Sequence, residues 1–176
     1  MRNWIGVLGA LGALAATPAL AAVTASGPAG FTVTETAHLA APPNQVFAAL
    51  VTPARWWSSD HTYSRDAAHL SLEARAGGCW CETLPGGGSA EHLRVVYIAP
   101  GKALRLRGGL GPLQAMAADG VMTWTLSAAA GGTDLKMTYA VFGDPAAGLA
   151  ALAAPVDQVL GEQVSRLKAL VETGKP

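Results

Sequence analysis

The chain has 176 residues, with 12 Lys+Arg against 12 Asp+Glu and only 14% charged residues. Zero formal charge gives no electrostatic footing for nucleic acid or an anionic membrane surface, and the length suggests one domain. Hydrophobic residues make up 51%, but much of that is alanine, so the core has to be built from few large side chains.

At the N-terminus, Arg2, an uncharged apolar run over residues 5–16 and the small-x-small triplet Ala19-Leu20-Ala21 fit a secretory signal peptide covering residues 1–21. Pro18 and the short apolar run argue against a membrane span, which needs about 20 apolar residues. A retained anchor is the alternative. The expectation is a periplasmic or secreted protein with no stable membrane span after cleavage. Residues 22–30 read as a small-residue linker, and residues 31–174 as one domain.

Residues 31–39 alternate as Phe31, Val33, Glu35, Ala37 and Leu39, the period of a strand. Pro42-Pro43-Asn44 opens a short helix with Val46, Phe47 and Leu50 on one side. Pro53 starts a second short turn carrying Trp56 and Trp57. Residues 58–68 are polar and read as loop. Six strands are expected at 69–74, 78–84, 89–98, 102–108, 120–128 and 133–142. Pro85-Gly86-Gly87-Gly88 forms a hairpin, and Pro100-Gly101 and Gly131-Gly132 form turns. Residues 155–173 recur with helical period (Val156, Val159, Leu160, Val164, Leu167, Leu170, Val171), with Pro155 in the first turn and Gly174 as C-cap. Gly161 inside this helix allows close packing or room for a ligand. The predicted fold is α+β: a curved antiparallel sheet of about seven strands wrapped around the long C-terminal helix, with two short helices after the first strand.

Alternation sets the inner face. Leu93, Val95 and Tyr97, Leu104 and Leu106, Met122, Trp124 and Leu126, and Leu135, Met137 and Tyr139 belong to the apolar sets of their strands. In Gly77-Gly78-Cys79-Trp80-Cys81-Glu82, Trp80 and Glu82 share one face and the two cysteines the other. If Leu84 and Ser89 close the hairpin, Glu82 faces Glu91 and Trp80 faces Leu93 on the inner side. Cys79 and Cys81 then lie outside, beside Arg94 and His92. A one-residue slip would reverse the face of the cysteine strand. Opposed carboxylates raise the pKa of at least one, which suits a polar or cationic head group, acid–base chemistry, or a solvated pair at the sheet rim.

The cysteines are two positions apart. On an extended strand their Cα atoms lie about 6.5–7 Å apart, at or beyond the reach of a disulfide, so a bridge needs local distortion and would be easily reduced. With His92 they offer three metal ligands and no fourth where zinc takes four. Free thiols, a labile bridge and a metal all stay open, although no resident metal or cofactor is expected. His38, His61, His69 and His92 are scattered; Asp60 and His61 near Trp56-Trp57 are placed to line a cavity mouth. Trp56, Trp57, Trp80 and Trp124 belong in the core. Residues 108–118, with Leu110, Leu113 and Met116, read as a lid or as an ordinarily packed connection.

These features together resemble the START-like SRPBCC superfamily, in its branch related to activators of the heat-shock-protein ATPase (AHSA-like). The resemblance rests on Ala41-Pro42-Pro43-Asn44-Gln45-Val46-Phe47, Trp56-Trp57, the glycine–cysteine–tryptophan run, Val96-Tyr97-Ile98-Ala99-Pro100-Gly101, Thr123-Trp124-Thr125-Leu126 and Gly131-Gly132-Thr133-Asp134-Leu135. It implies a helix-grip fold with a hydrophobic cavity between sheet and C-terminal helix, and an inward aromatic at Trp80. It implies no single function, since the superfamily holds lipid binders, cyclases, oxygenase domains and co-chaperones. An exported chain departs from a cytosolic co-chaperone, and the cysteines stand where polar residues are more usual.

Three functions follow. The first is non-catalytic binding of a small hydrophobic or amphipathic molecule by Trp80, Glu82, Glu91, Leu93, Val95, Tyr97, Trp124, Met137 and Tyr139. The second is a cyclase or hydrolase using Glu82 or Glu91 for acid–base work, assisted by Tyr97 or Tyr139. The third is a redox-responsive or protein-interaction module using Cys79 and Cys81.

Overall fold

The computed structural model describes residues 22–176; the signal-peptide reading falls on residues 1–21, outside the described residues. Eight antiparallel strands form one sheet: β1 (Ala22–Gly27), β2 (Gly30–Leu39), β3 (Leu70–Leu72), β4 (Cys79–Thr83), β5 (Ser89–Ala99), β6 (Ala103–Arg107), β7 (Ala118–Ala129) and β8 (Gly132–Gly143). The order across the sheet is β1-β2-β8-β7-β6-β5-β4-β3. Helix α1 (Pro43–Leu50) follows β2, and α2 (Ala153–Thr173) packs against the sheet, with β2 as its principal strand partner. The helix-grip architecture is as expected from the sequence.

Strands β3 to β8 run as a meander, with short glycine-containing connections except for residues 108–117 between β6 and β7, and β2 closes on the far side by pairing with β8. The inward stripe is continuous across neighbours. Val33 pairs with Tyr139, Tyr139 with Met122, Met137 with Trp124, and Trp124 with Leu104. On α2, Leu160, Val164, Leu167 and Leu170 are buried at i, i+4, i+7 and i+10, each side chain worth roughly 1.5–3 kcal/mol of burial. Gly174 ends the helix in the left-handed region at φ 79°, donating its N–H to Leu170 O at 2.9 Å.

Three differences from expectation have physical reasons. Residues 22–27 are an edge strand, not a linker. Nearly all its side chains are exposed, so no apolar alternation marked it, and its backbone pairing with β2 alone makes it a strand. The second short helix is a single 3-10 turn at Pro53–Arg55, too short to bury a face of its own. Strand β3 covers only three of the six residues expected there, because the chain turns off the sheet edge after Leu72.

Glu35 sits on the inner face of β2 under α2 and is fully buried. Neither of its oxygens, nor Asp157 Oδ1 on α2, meets a hydrogen-bond donor among the described residues. Burial, together with the charge of Asp157 and a hydrogen bond to it, raises the Glu35 pKa to about 7. The proton that Glu35 retains above the ordinary carboxylate range supplies a donor toward Asp157. Gly161 of α2 faces this acid; a Cβ there would stand 3.5 Å from Glu35 Oε1, an ordinary van der Waals distance, so the packing against Glu35 does not demand glycine. A carboxyl with a raised folded-state pKa stabilises fully below its unfolded pKa and loses that contribution as pH rises to the folded value. From 4.5 to about 7 the loss is about 3 kcal/mol. Urea unfolding at pH 5 and pH 8 should show Glu35→Gln losing less stability between the two than wild type; an unchanged difference would refute the assignment.

Candidate functional site

β4 enters the sheet after Gly78, where a Cβ would stand 2.0 Å from Glu73 O, so only glycine fits. Trp80 and Glu82 then point inward and Cys79 and Cys81 outward, as the alternation requires. Opposite them, β5 carries one residue more than β4. Cys79 pairs with Arg94 and Trp80 with Leu93, but Cys81 pairs with Glu91 and Glu82 with Ala90. His92 is the extra residue of this β-bulge, and it turns inward beside Leu93.

The bulge corrects the expected carboxylate pair. Glu91 is outside, ion-paired with Arg94, and Cys81 rather than Glu82 stands opposite it. The partner of Glu82 is His92: Nε2 lies 2.8 Å from Oε2, with Glu82 1% and His92 6% exposed. Glu82 also accepts the backbone N–H of Tyr63 (3.1 Å) and of Ser64 (2.5 Å). Burial by itself would raise its pKa, yet the hydrogen bonds from Ser64, His92 and Tyr63 outweigh burial and hold it below the ordinary value. An ionised carboxylate only accepts, so Nε2 of His92 donates the hydrogen bond between them. Among the described residues Nδ1 has no hydrogen-bond partner.

His92, held by Glu82, lines a cavity of about 310 Å³. Trp57, Trp80 and Leu70 form one wall, and Val156, Val159 and Leu160 of α2 another. Tyr63 comes from the polar segment after the tryptophans and stacks on His92, ring centroids 5.5 Å apart and planes 14° from parallel. Asp60 and His61 lie at the lining as expected, with His61 Nε2 3.1 Å from Glu162 on α2. Leu110, Gly111, Pro112 and Leu113 cover the remaining side. That connection is tied down: Tyr139 Oη donates to Gly108 O at 2.8 Å and accepts from Leu110 N at 2.9 Å. Tyr63 Oη donates to Gly111 O at 2.8 Å. Burial pushes the Tyr139 phenol well above its ordinary pKa, so it remains a donor at neutral pH.

Of the residues expected to bind a ligand, Trp80 and Tyr139 line the cavity and Glu82 holds its polar end through His92. Leu93, Val95, Trp124 and Met137 face inward but are consumed in packing beneath it. Tyr97 is 48% exposed; a second bulge, between Val95 and Tyr97, turns it outward under the Arg105 guanidinium. His92 and Tyr63 are the residues that sequence reasoning missed. A lone aromatic in an otherwise polar loop was the available sign for Tyr63. For His92 there was none, since alternation with Leu93 placed it outside and only the bulge turns it in.

Cys79 and Cys81 are joined by a disulfide, their Cα atoms 5.3 Å apart, closer than the flat-strand spacing that argued against a bridge. No group of three or more potential metal ligands occurs among the described residues. No helix among them is long and apolar enough to cross a membrane.

Sheet, gripping helix and the largely apolar cavity between them define a helix-grip protein of the SRPBCC type. The profile of the polyketide cyclase / dehydrase and lipid transport family matches residues 30–172, and the chain belongs to that family. This match does not extend to the AHSA-like branch. Among solved structures, the chain is similar to a protein from Mesorhizobium loti at 20% identity and TM-score 0.60, covering 80% of this chain and 96% of that one. It is similar to DynU16, from the dynemicin biosynthetic locus, at 24% identity and TM-score 0.58, covering 82% of this chain and 48% of that one. CalU16 from Micromonospora echinospora shares 17% identity at TM-score 0.53, covering 86% and 87%. At these identities the likeness is one of fold. No curated protein matches the chain.

Two substitutions test this geometry. A Cβ at Gly120 would stand 2.5 Å from the Tyr139 ring, so Gly120→Ala should cost about 1–3 kcal/mol and speed amide exchange at Leu110. Normal stability with unchanged exchange would contradict the packing. Glu82 has a depressed pKa, so its contribution is present above the unfolded value of 4.5 and lost as pH falls through the folded one. Glu82→Gln should cost about 2 kcal/mol at pH 7 and flatten the acid limb of a urea-unfolding series; an unaltered acid limb would exclude this role.

Proposed function

We propose that the chain binds a small hydrophobic or amphipathic molecule in this cavity, without transforming it. The observation that carries the reading is a cavity of about 310 Å³ of largely apolar lining, with the buried His92 among its polar residues. That volume lies at the lower end for small-molecule sites, and an apolar lining with few polar groups is their usual make-up. The ligand's apolar body lies between Trp57, Trp80 and the α2 wall, and a single donor group meets Nδ1 of His92. The family's description, which includes lipid transport, supports the same chemistry. The reading includes export to the periplasm or beyond, supported by the N-terminal pattern around Arg2 and Ala19-Leu20-Ala21, and by a disulfide, which persists in oxidising compartments.

A second reading has one specific observation behind it. A histidine whose Nε2–H is held by a buried carboxylate presents Nδ1 as a base, the arrangement used for proton abstraction. An enzyme of the cyclase or hydrolase kind would then use His92 and Glu82, with Glu91 and Tyr97 excluded by their outward positions.

Filling the cavity separates binding from mere folding. Val159→Trp should abolish the emission enhancement of anilinonaphthalene sulfonate that wild type produces, while thermal unfolding stays cooperative. Equal enhancement in both proteins would overturn the cavity as the binding site. On the catalytic reading, His92→Gln abolishes turnover and leaves dye binding intact; turnover surviving in that variant removes the base role.

A further inference from the structure

The disulfide and the bulge occupy the same place. The register between β4 and β5 slips between Trp80 and Cys81, which is inside the ring that the Cys79–Cys81 bond closes. Residues two apart on a flat strand are about 6.5–7 Å apart, whereas these Cα atoms are separated by 5.3 Å. The bond therefore bends β4 at the point where β5 takes in one residue more and the register is displaced. That displacement puts His92 inside, where an uninterrupted ladder would have set Glu91 against Glu82 and turned His92 out beside Cys81.

A bridge spanning one intervening residue restricts the unfolded chain very little, so its effect is local rather than that of a global staple. The local consequences fall on the cavity. Trp80, the residue enclosed by the bridge, and His92, the residue added by the bulge, both line it, and Glu82 directly follows Cys81. The sulfurs themselves lie on the outer face, on half-buried residues open to a reductant.

We infer that the Cys79–Cys81 bond is a redox-breakable clip that seats His92 on Glu82, so that the oxidation state of this pair sets the polar end of the binding cavity. The proposal rests on the binding reading above for its functional consequence, but not for its geometry. A thiol reductant attacks one sulfur and displaces the other as a thiolate. A second reductant thiol resolves the mixed disulfide, leaving Cys79 and Cys81 as two thiols and the reductant as its own disulfide. With the bond open, β4 straightens, the irregular pairing beside it relaxes, and His92 leaves Glu82 and the Tyr63 ring.

The test is long-range proton–nitrogen NMR of the histidine rings on the full chain, purified without reductant and then treated with dithiothreitol. Oxidised protein should show His92 as the Nε2–H tautomer with slowed ring-proton exchange, and reduction should erase that signature reversibly. Cys79→Ser with Cys81→Ser should resemble the reduced state while circular dichroism remains native. Reduced wild type and the double variant keeping the oxidised His92 signature would overturn the clip. Because no ligand is involved, that result leaves the binding reading standing. Conversely, a redox-dependent signature in a protein that binds no dye would retain the clip and remove the binding.

Discussion

A carboxylate sealed from water has to be met by donors, and at Glu82 this requirement organises one whole end of the molecule. Its three donors come from two places. Tyr63 and Ser64 offer backbone N–H groups from the irregular segment between the tryptophans and β3, and His92 offers its ring from the bulge of β5. The same hydrogen bonds that satisfy the charge therefore fasten a segment with little regular structure onto the sheet. Tyr63, carried on that segment, then stacks on His92 and reaches across to the 108–118 connection. Cavity wall, cavity cover and polar end share this one electrostatic obligation.

Glu35 shows the opposite solution on the same sheet. It has a second acid for a neighbour and no donor, so burial and Asp157 raise its pKa to about 7, whereas the pKa of Glu82 is held below the ordinary value. The two carboxyls pull the pH dependence of stability in opposite directions, one favouring acid and the other neutrality. Helix α2 is the element shared by Glu35 and the cavity. Asp157 and Gly161 face Glu35, while Val156, Val159 and Leu160 wall the cavity.

Most of the fold was legible in the sequence because strand alternation and helical period survive burial on one face. Trp80 opposite Leu93, the outward cysteines and the grip of residues 155–173 all follow from period and turn chemistry. What escaped was whatever depends on a departure from period. Each of the two bulges in β5 adds one residue, and each reverses a prediction: Glu91 gives way to His92, and Tyr97 goes outside. Nothing local in one strand announces a bulge, since it is set by how two strands fit together. The disulfide was disfavoured for the same reason, because the spacing argument assumed a flat strand. β1 was hidden because an edge with both faces exposed has no alternation to show. Much of the cavity lining comes from irregular segments, where the leads were the placement of Asp60 and His61 near the tryptophan pair and the lid reading of residues 108–118 with Leu110 and Leu113.

The account's central claim is an occupied, ligand-sized cavity ending at His92. Native mass spectrometry of the full chain, purified without reductant from the cells that make it, addresses this directly. The account predicts a reproducible excess mass of one small organic molecule that vanishes on denaturation and is absent from Val159→Trp. A bare chain mass, unchanged after incubation with apolar carboxylic acids and alcohols small enough for the cavity, would contradict it.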